Sequence, residues 1–381
     1  MKMKKFIALL LTFSLVLTAC DSNKEVNLQS MSETKENDYK QSDSLSDKIV
    51  IEKFRIDIPE NASVSSFCVY DDIIYYSINY ISKYENSEGN KTDLVFDKKD
   101  NTEIRSCSLD NSEDKLIYKY DEDTPINITD IQFNGTYLIW EDYDKYQMYT
   151  INSMDLKNSD TDKAPEKIFS QGKDDSKLKS ITLTISEDEL YWYDYSSKDD
   201  TVLSLYSYDF KDKNTNAKVE KLTLDSPYEH LSLNDGLFTT YQREDGFTLI
   251  KTFEDFKKAK TTLKVSENIR NPVANKKICA WMQGGENANK DYIFVYSFSK
   301  KDIEKIKVFE VFSYSVLDDL LIINQKDGIY CYDIENSQYN RIISESEDSS
   351  CGYIYSGIED NLYFERWAED NVLEVYNYKI A

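Results

Sequence analysis

The sequence predicts an all-β fold, a seven-bladed β-propeller, and three observations carry that expectation. One turn-and-strand motif recurs seven times along the chain. Each copy lies among three further segments with strand character, which makes four antiparallel strands per unit. The last unit ends one strand short, and an unassigned strand precedes the first unit.

The motif is a pair of acidic or Asn turn residues followed by an apolar, aromatic strand. Its copies begin at Asp71-Asp72-Ile73-Ile74-Tyr75-Tyr76, Asn134-Gly135-Thr136-Tyr137-Leu138-Ile139-Trp140, Glu187-Asp188-Glu189-Leu190-Tyr191-Trp192 and Asn234-Asp235-Gly236-Leu237-Phe238. They continue at Asn275-Lys276-Lys277-Ile278-Cys279-Ala280-Trp281, Asp318-Asp319-Leu320-Leu321-Ile322 and Glu359-Asp360-Asn361-Leu362-Tyr363-Phe364. Starts at 71, 134, 187, 234, 275, 318 and 359 are spaced by 63, 53, 47, 41, 43 and 41 residues. The later spacings match a propeller blade of about 40–50 residues, and the longer early ones imply inserted loops. The composition agrees: 30 Tyr and 17 Phe favour strands, and with only 10 Gly and 5 Pro the turns must rely on Asp and Asn.

The seventh unit runs out of chain after its third strand. The strand over residues 49–58, Ile49 to Ile58, supplies the missing outer strand and would close the ring, leaving no open sheet edge to aggregate. Six or eight blades are the alternative counts. A pair of β-sandwiches is the competing fold, but it accounts for neither the single period nor the displaced terminal strand.

Three copies, Leu190-Tyr191-Trp192-Tyr193-Asp194, Leu362-Tyr363-Phe364-Glu365 and Ile74-Tyr75-Tyr76-Ser77, resemble the second strand of TolB-like and YWTD-type propeller blades. The resemblance covers residues 49–381. No copy is a complete YWTD, so it supports the architecture and carries over no binding residue.

The first twenty residues read MKMKKFIALLLTFSLVLTAC. Lys2, Lys4 and Lys5 form a basic start, Phe6 to Ala19 an uncharged apolar run, and the run ends in Leu17-Thr18-Ala19-Cys20. This is a secretory signal that stops on a cysteine, and it resembles the lipobox of bacterial lipoproteins. The resemblance implies a signal peptide over 1–19, a diacylated Cys20, and a mature chain on the extracytoplasmic face of the cell membrane. The run is short of the roughly 20 residues that span a bilayer. Residues 20–48 are Ser-, Asp-, Asn-, Glu- and Lys-rich, and they are expected to be a disordered tether with a span on the order of 30 Å. The propeller is expected over 49–381.

After cleavage 43 basic residues face 70 acidic ones, a net charge of −27. Such a body repels nucleic acid and anionic headgroups and favours basic partners or cations. Five cysteines remain besides Cys20, with no C-x-x-C and no zinc spacing. Cys68 and Cys351 fall on the innermost strands of the first and last units, neighbours in a closed ring; buried free thiols are the expected state over a disulfide. The single histidine, His230, argues against a His-based triad or multi-His metal site. There is no G-x-S-x-G elbow and no glycine-rich phosphate cradle. Paired carboxylates such as Asp71/Asp72 and Asp318/Asp319 fall at hairpin reversals and read as turn formers. No cofactor is expected. Calcium is the one cation the many carboxylates would suit, although no complete calcium loop occurs.

Trp140, Trp192 and Phe364 occupy matching positions and are expected in the packing between blades. The loops after the second strands gather on one face and carry Tyr80, Tyr84, Tyr143, Tyr146, Tyr195, Arg243 and Trp367. Tyr, Trp and Arg dominate recognition hot spots, so Tyr80, Tyr143, Tyr146, Tyr195, Arg243 and Trp367 are the candidate ligand-binding residues. The functional expectation is a monomeric, lipid-anchored, non-catalytic scaffold for a protein or cell-envelope ligand. The alternatives are a glycan-acting envelope enzyme using acidic residues at the propeller mouth, or a solute- or metal-binding lipoprotein.

Overall fold

The computed structural model describes residues 24–28, 34–60, 62–80, 83–87, 91–95, 102–109, 114–121, 126–144, 149–157, 164–170, 182–186, 189–194, 202–223, 232–234, 237–244, 247–254, 258–284, 291–344, 351–356, 362–369 and 371–381. Apart from one 3-10 turn over Asp43–Lys48, every described element is a strand.

Among the described residues, seven sheets, each with four antiparallel strands at its centre, follow one another along the chain. The second is typical: Ile126–Phe133, Tyr137–Asp144, Tyr149–Asp155 and Glu166–Ser170 pair in sequence order. The first sheet is built on Phe67–Tyr70 and Ile73–Tyr80, the third on Thr182–Ser186 and Glu189–Asp194, and the fourth on Ser232–Asn234 and Leu237–Glu244. The fifth begins at Ile269–Ala274, the sixth at Val311–Leu317 and the seventh at Cys351–Ser356. The long spacing after the first motif holds an extra hairpin, Lys83–Ser87 with Lys91–Val95.

The first hairpins form where the sequence places its acidic and Asn residues. Asp71 and Asp72 have φ of 49° and 60°, and Asp318 has 53°. These left-handed conformations suit Asp and Asn in tight turns. Asn134 Oδ1 accepts from the amides of Thr136 (3.1 Å) and Tyr137 (2.8 Å), and Asn275 Oδ1 does the same for Lys277 and Ile278 (both 2.9 Å). A second device repeats at the end of the third strands. Asp155, Asp209 and Asp333 each accept a backbone amide from the turn that follows. The apolar residue after that position is then bolted to the first hairpin: Leu109 to the Asp72 carbonyl, Leu156 to Thr136 and Phe298 to Lys277, all at 2.9 Å, and Ile334 to Asp319 at 3.3 Å.

The sheets are buried on both faces, so their second strands carry apolar residues at successive positions. In the fifth sheet, Cys279 and Trp281 pack on Ile250, Leu263 and Val265 of the fourth. Ile278, Ala280 and Met282 pack on Tyr314, Val316 and Leu321 of the sixth. Trp140 and Trp192 face the preceding sheet in the same way, and all three tryptophans are at most 1% exposed. Core placement of Trp140 and Trp192 is as expected; the Phe364 side chain lies outside the description. A further cluster joins the seventh sheet to the first, setting Phe54, Ile56, Leu373 and Val375 against Val69, Ile74, Tyr76 and Ile78. Ile49–Asp57 pairs antiparallel with Val372–Ile380, from Ile49 opposite Ile380 to Asp57 opposite Val372. It is the outer strand of the seventh sheet, as its sequence position predicts.

The segment expected as a free tether is instead laid against the sheets wherever it is described. Lys24–Asn27 pairs parallel with Lys258–Val265, outer strand of the fourth sheet. Asn37 N donates to the Lys305 carbonyl of the fifth sheet at 2.9 Å. Lys40–Gln41 pairs parallel with the outer strand of the sixth. Side chains fasten this strap: Asn37 and Tyr39 donate to Glu304 Oε2 (2.6 and 2.8 Å), the Tyr39 ring meets Tyr332 edge-on at 5.3 Å, and Leu45 is fully buried beside Leu317 and Ile322. The composition argument failed because it asked whether the segment could build a core of its own. An outer strand offers unpaired backbone groups that a polar segment can satisfy with few apolar anchors.

Cys68, Cys107, Cys279 and Cys331 are buried free thiols. Cys68 packs with Ile128 and Phe133 of the second sheet, on the side away from the seventh. Burial drives its thiol far above the usual range.

Candidate docking face

In each sheet the first strand runs toward the acidic hairpin and the second runs back. The second-to-third turns and the connections between sheets therefore share the opposite face. Tyr80, Tyr143, Arg243 and Trp367 all lie in the last turnward residues of second strands, in the first, second, fourth and seventh sheets. They end strands; they do not sit in free loops. Tyr80 is half-buried against the cluster between the seventh and first sheets. Tyr143 is also half-buried; its hydroxyl accepts from Asn127 Nδ2 at 3.1 Å and its ring lies 5.6 Å from Tyr149. Burial, with Glu141 and Tyr143 adding, pushes the Tyr149 phenol up to about 12. Arg243 and Trp367 are placed by pairing with Thr248 and Leu373, and their side chains lie outside the description. Tyr84 lies in the extra hairpin, paired with Leu94. Tyr146, Tyr195, His230 and Cys20 lie outside the described residues.

The same face carries three exposed phenylalanines that the sequence reading did not select. Phe309 (56% exposed) lies in the connection from the fifth to the sixth sheet, Phe312 (52%) is the second residue of the sixth sheet's inner strand, and Phe247 (37%) opens a third strand. Lys326 Nζ stands 6.0 Å over the Phe309 ring and pairs with Glu310 at 2.8 Å; Lys264 Nζ stands 4.3 Å over Phe247. Phe309 is held at its backbone, where its amide donates to Gln325 Oε1 at 2.6 Å. Phe312 continues the alternation of the buried Tyr314 and Val316 one step past the packed layer. A signal was present in Val308-Phe309-Glu310-Val311-Phe312, an aromatic pair astride the junction between two units.

Two carboxyls stand out electrostatically. Asp142 accepts from the Tyr120 hydroxyl and from Asn152 Nδ2 (2.6 Å), and Tyr120 in turn accepts from Trp140 Nε1 at 2.7 Å. Burial lifts Asp142 to about 6 in spite of these donors. Asp130, on the inner strand of the same sheet, accepts from Gln132 Nε2 at 3.1 Å and from the Leu183 and Ile131 amides, and burial again prevails, to about 6. Each carboxyl is engaged by its own donors. Among the described residues, no group of three or more His, Cys, Asp or Glu could hold a metal ion.

No family model matches the chain, and no curated protein matches it. Solved structures do. The chain is similar to the β-propeller domain of the trilobed protease from Pyrococcus furiosus, at 12% identity over 84% of this chain and 96% of that one, with a TM-score of 0.54. It is similar to an acylaminoacyl peptidase from Pyrococcus horikoshii at 13% identity, 80% and 49% coverage and a TM-score of 0.50. A prolyl endopeptidase matches at 9% identity, 84% and 46% coverage and a TM-score of 0.51. The chain spans about half the length of these two peptidases. At such identities the likeness shows the fold alone, and that fold is a β-propeller.

Proposed function

We propose that this chain is a lipid-anchored extracytoplasmic protein whose propeller, a ring of seven blades closed by the strand Ile49–Asp57, is a non-catalytic scaffold that docks a protein or envelope ligand. One observation carries the docking reading: Phe247, Phe309 and Phe312 are each exposed at chain reversals or connections on the face where the second strands end. A rigid β-scaffold with aromatic residues at its connections is the usual design of a recognition surface. The raised carboxyls are held by tyrosine, amide and backbone donors and support the ring in place of chemistry. For anchoring, Cys20→Ala should release the protein or leave it unprocessed, and continued incorporation of labelled palmitate by that variant would sink the lipobox reading. For docking, a photo-crosslinking amino acid is placed at Phe312 and, separately, at Leu116 on the outer strand Lys115–Lys119, in cells. A discrete adduct from position 312 that Phe309→Ser weakens supports the reading. Equal adducts from both positions, or none, would overturn it.

A further inference from the structure

We propose that Arg270 is the anion-recognition residue of the docking face, and that its partner is an acidic peptide segment whose carboxylate sits on this guanidinium while apolar side chains cover Phe309 and Phe312. This rests on the docking reading and adds the chemistry of the partner. Arg270 and Phe312 are each the second residue of an inner strand, in the fifth and sixth sheets. Both strands start on the face where the second strands end. The Tyr314 hydroxyl, two residues past Phe312, crosses the junction and donates to the Asn271 carbonyl at 2.6 Å, with the Arg270 carbonyl at 3.4 Å. Ile269 faces the fourth sheet, so the next side chain, Arg270, faces the sixth. Its Nη2 meets the Sδ of Met282 at 3.7 Å, and Met282 belongs to the cluster between the fifth and sixth sheets. A β-bulge starts at Arg270, with Asn271 at φ 50°. Bulges re-aim side chains, and the Tyr314 bond fixes this one.

The guanidinium lacks the acceptors its position calls for. The side chain is partly buried, and its Nε is buried with no hydrogen-bond acceptor. The Met282 sulfur is only a weak acceptor. Among the described residues no carboxylate pairs with it, although the chain holds 70 acids against 46 Lys and Arg. Arg55 and Arg105 do find acids: Asp57 at 3.6 Å for the first, Glu103 (2.8 Å) and Asp114 (3.0 Å) for the second. The described acids at the strand ends of these two sheets on this face are Glu267, Asp291, Glu310 and Asp327. Glu267 accepts from the Ser266 hydroxyl at 2.6 Å, Glu310 pairs with Lys326 at 2.8 Å, and Asp327 accepts from the Tyr330 hydroxyl at 2.7 Å. Arginine cannot shed its proton, so its charge stays uncompensated until an acceptor arrives.

A buried donor left without a partner in a native fold asks for an explanation, and a planar guanidinium fork matches a carboxylate. The exposed rings of Phe309 and Phe312 at the same junction favour apolar side chains beside that carboxylate. A peptide supplies both; a phosphate polymer supplies the anion alone. The net charge of −24 opposes an acidic partner at long range. Beyond about 8 Å it is largely screened at physiological ionic strength, so the local pairing decides.

The test selects a phage-displayed random peptide library on the full chain and measures the synthetic winners on Phe312→Ser, Arg270→Met and Arg270→Lys. The winners should carry Asp or Glu beside an aromatic or aliphatic residue. They should bind Arg270→Met about tenfold to a hundredfold more weakly, and Arg270→Lys, which keeps the charge without the fork, should restore part of the loss. Urea unfolding separates a binding arginine from a structural one. The Arg270→Met midpoint should match or exceed wild type, because an unpaired buried donor is removed, and a large fall assigns the arginine to the fold and overturns the proposal. Winners that need Phe312 but carry no acid, or that bind Arg270→Met equally well, overturn it too and leave the docking reading standing. Displacement of such acid-free peptides by millimolar glycerol phosphate would give the arginine to a phosphate ligand instead. If no selected peptide is sensitive to Phe312→Ser, the docking reading itself fails and the inference falls with it.

Discussion

Replacing Lys48 by Met removes one amine from a buried carboxylate and should change stability in a way that depends on pH. Asp333 closes the turn after a third strand with its side chain fully buried, and Lys48 Nζ reaches its Oδ2 at 2.6 Å. Asn336 adds a backbone amide at 2.8 Å and a side-chain donor at 2.9 Å. Burial is the largest influence on Asp333 and pushes its carboxyl up; Lys48 and Asn336 together overcome it and leave the carboxyl below its usual range. A depressed carboxyl stabilises the fold above its unfolded value, about 3.9, and that stabilisation is lost as pH falls through the folded value. Without Lys48 the direction reverses: burial prevails, ionisation costs stability at neutral pH, and acid relieves it. Stripping one partner from a buried pair costs about 3–5 kcal/mol. The Lys48 side chain is 42% exposed and the Asn336 donors remain, so the loss should be nearer ~2 kcal/mol at pH 7. Urea unfolding at pH 7 and pH 3 measures it: the midpoint falls at pH 7 with an unchanged slope, and the gap narrows at pH 3. A loss of equal size at both pH values would refute the electrostatic reasoning and assign the effect to the lysine stem.

Trp281→Ala empties a fully buried site between the fourth and fifth sheets and should cost about 3–5 kcal/mol in urea unfolding. Asn79→Ala should cost about 2 kcal/mol in the same assay, because the Asn79 amide both donates to the Ile128 carbonyl (3.1 Å) and accepts from the Ile128 amide (3.3 Å) at a bulge in the second sheet. Asp142 is raised to about 6, so the folded state holds its proton to higher pH than the unfolded state and stability falls as pH rises from 4 to 6. Asp142→Asn should flatten that slope and gain about 1–3 kcal/mol at pH 7; destabilisation there would count against the assignment. Gly328→Ala forces a Cβ onto the Ile343 carbonyl at φ +143° and should lower stability by about 2 kcal/mol or more, with exchange protection lost first in Gly328–Asp333.

The repeat was legible because each hairpin needs the same local chemistry. Asp71, Asp72, Asn134, Asn275 and Asp318 appear in the sequence at the positions where the backbone reverses. The outer strand Ile49–Asp57 was legible for a different reason: counting four strands per unit leaves one gap and one spare. The third-strand device at Asp155, Asp209 and Asp333 was visible as a recurring Asp before an apolar residue, but its purpose is a backbone bond back to the first hairpin, from Leu156 to Thr136 and from Ile334 to Asp319, which spacing alone does not reveal. The candidate face was half legible. Topology puts Tyr80, Tyr143, Arg243 and Trp367 on one face, but Tyr80 and Tyr143 are half-buried, since a strand end still packs against its neighbouring sheet. Phe309 and Phe312 were not selected from the sequence, because exposure depends on where the packed layer stops.

The strap also breaks the equivalence of the sheets. Outer edges of the fourth, fifth and sixth sheets carry an added parallel partner, and the seventh is completed by the strand that follows. Among the described residues nothing pairs with the outer edges of Lys115–Lys119, Glu166–Ser170 or Asn214–Thr223. The covered arc is hidden from further strand pairing. The uncovered arc keeps free edges with Leu116 at 46% exposure, so its tolerance of solution depends on charges such as Lys115 and Lys119 flanking that leucine. Replacing those two lysines by valine should therefore promote aggregation, whereas the same change at Lys305 and Lys307, behind the strap, should not; light scattering of the two variants at equal concentration decides between a protected and an open edge.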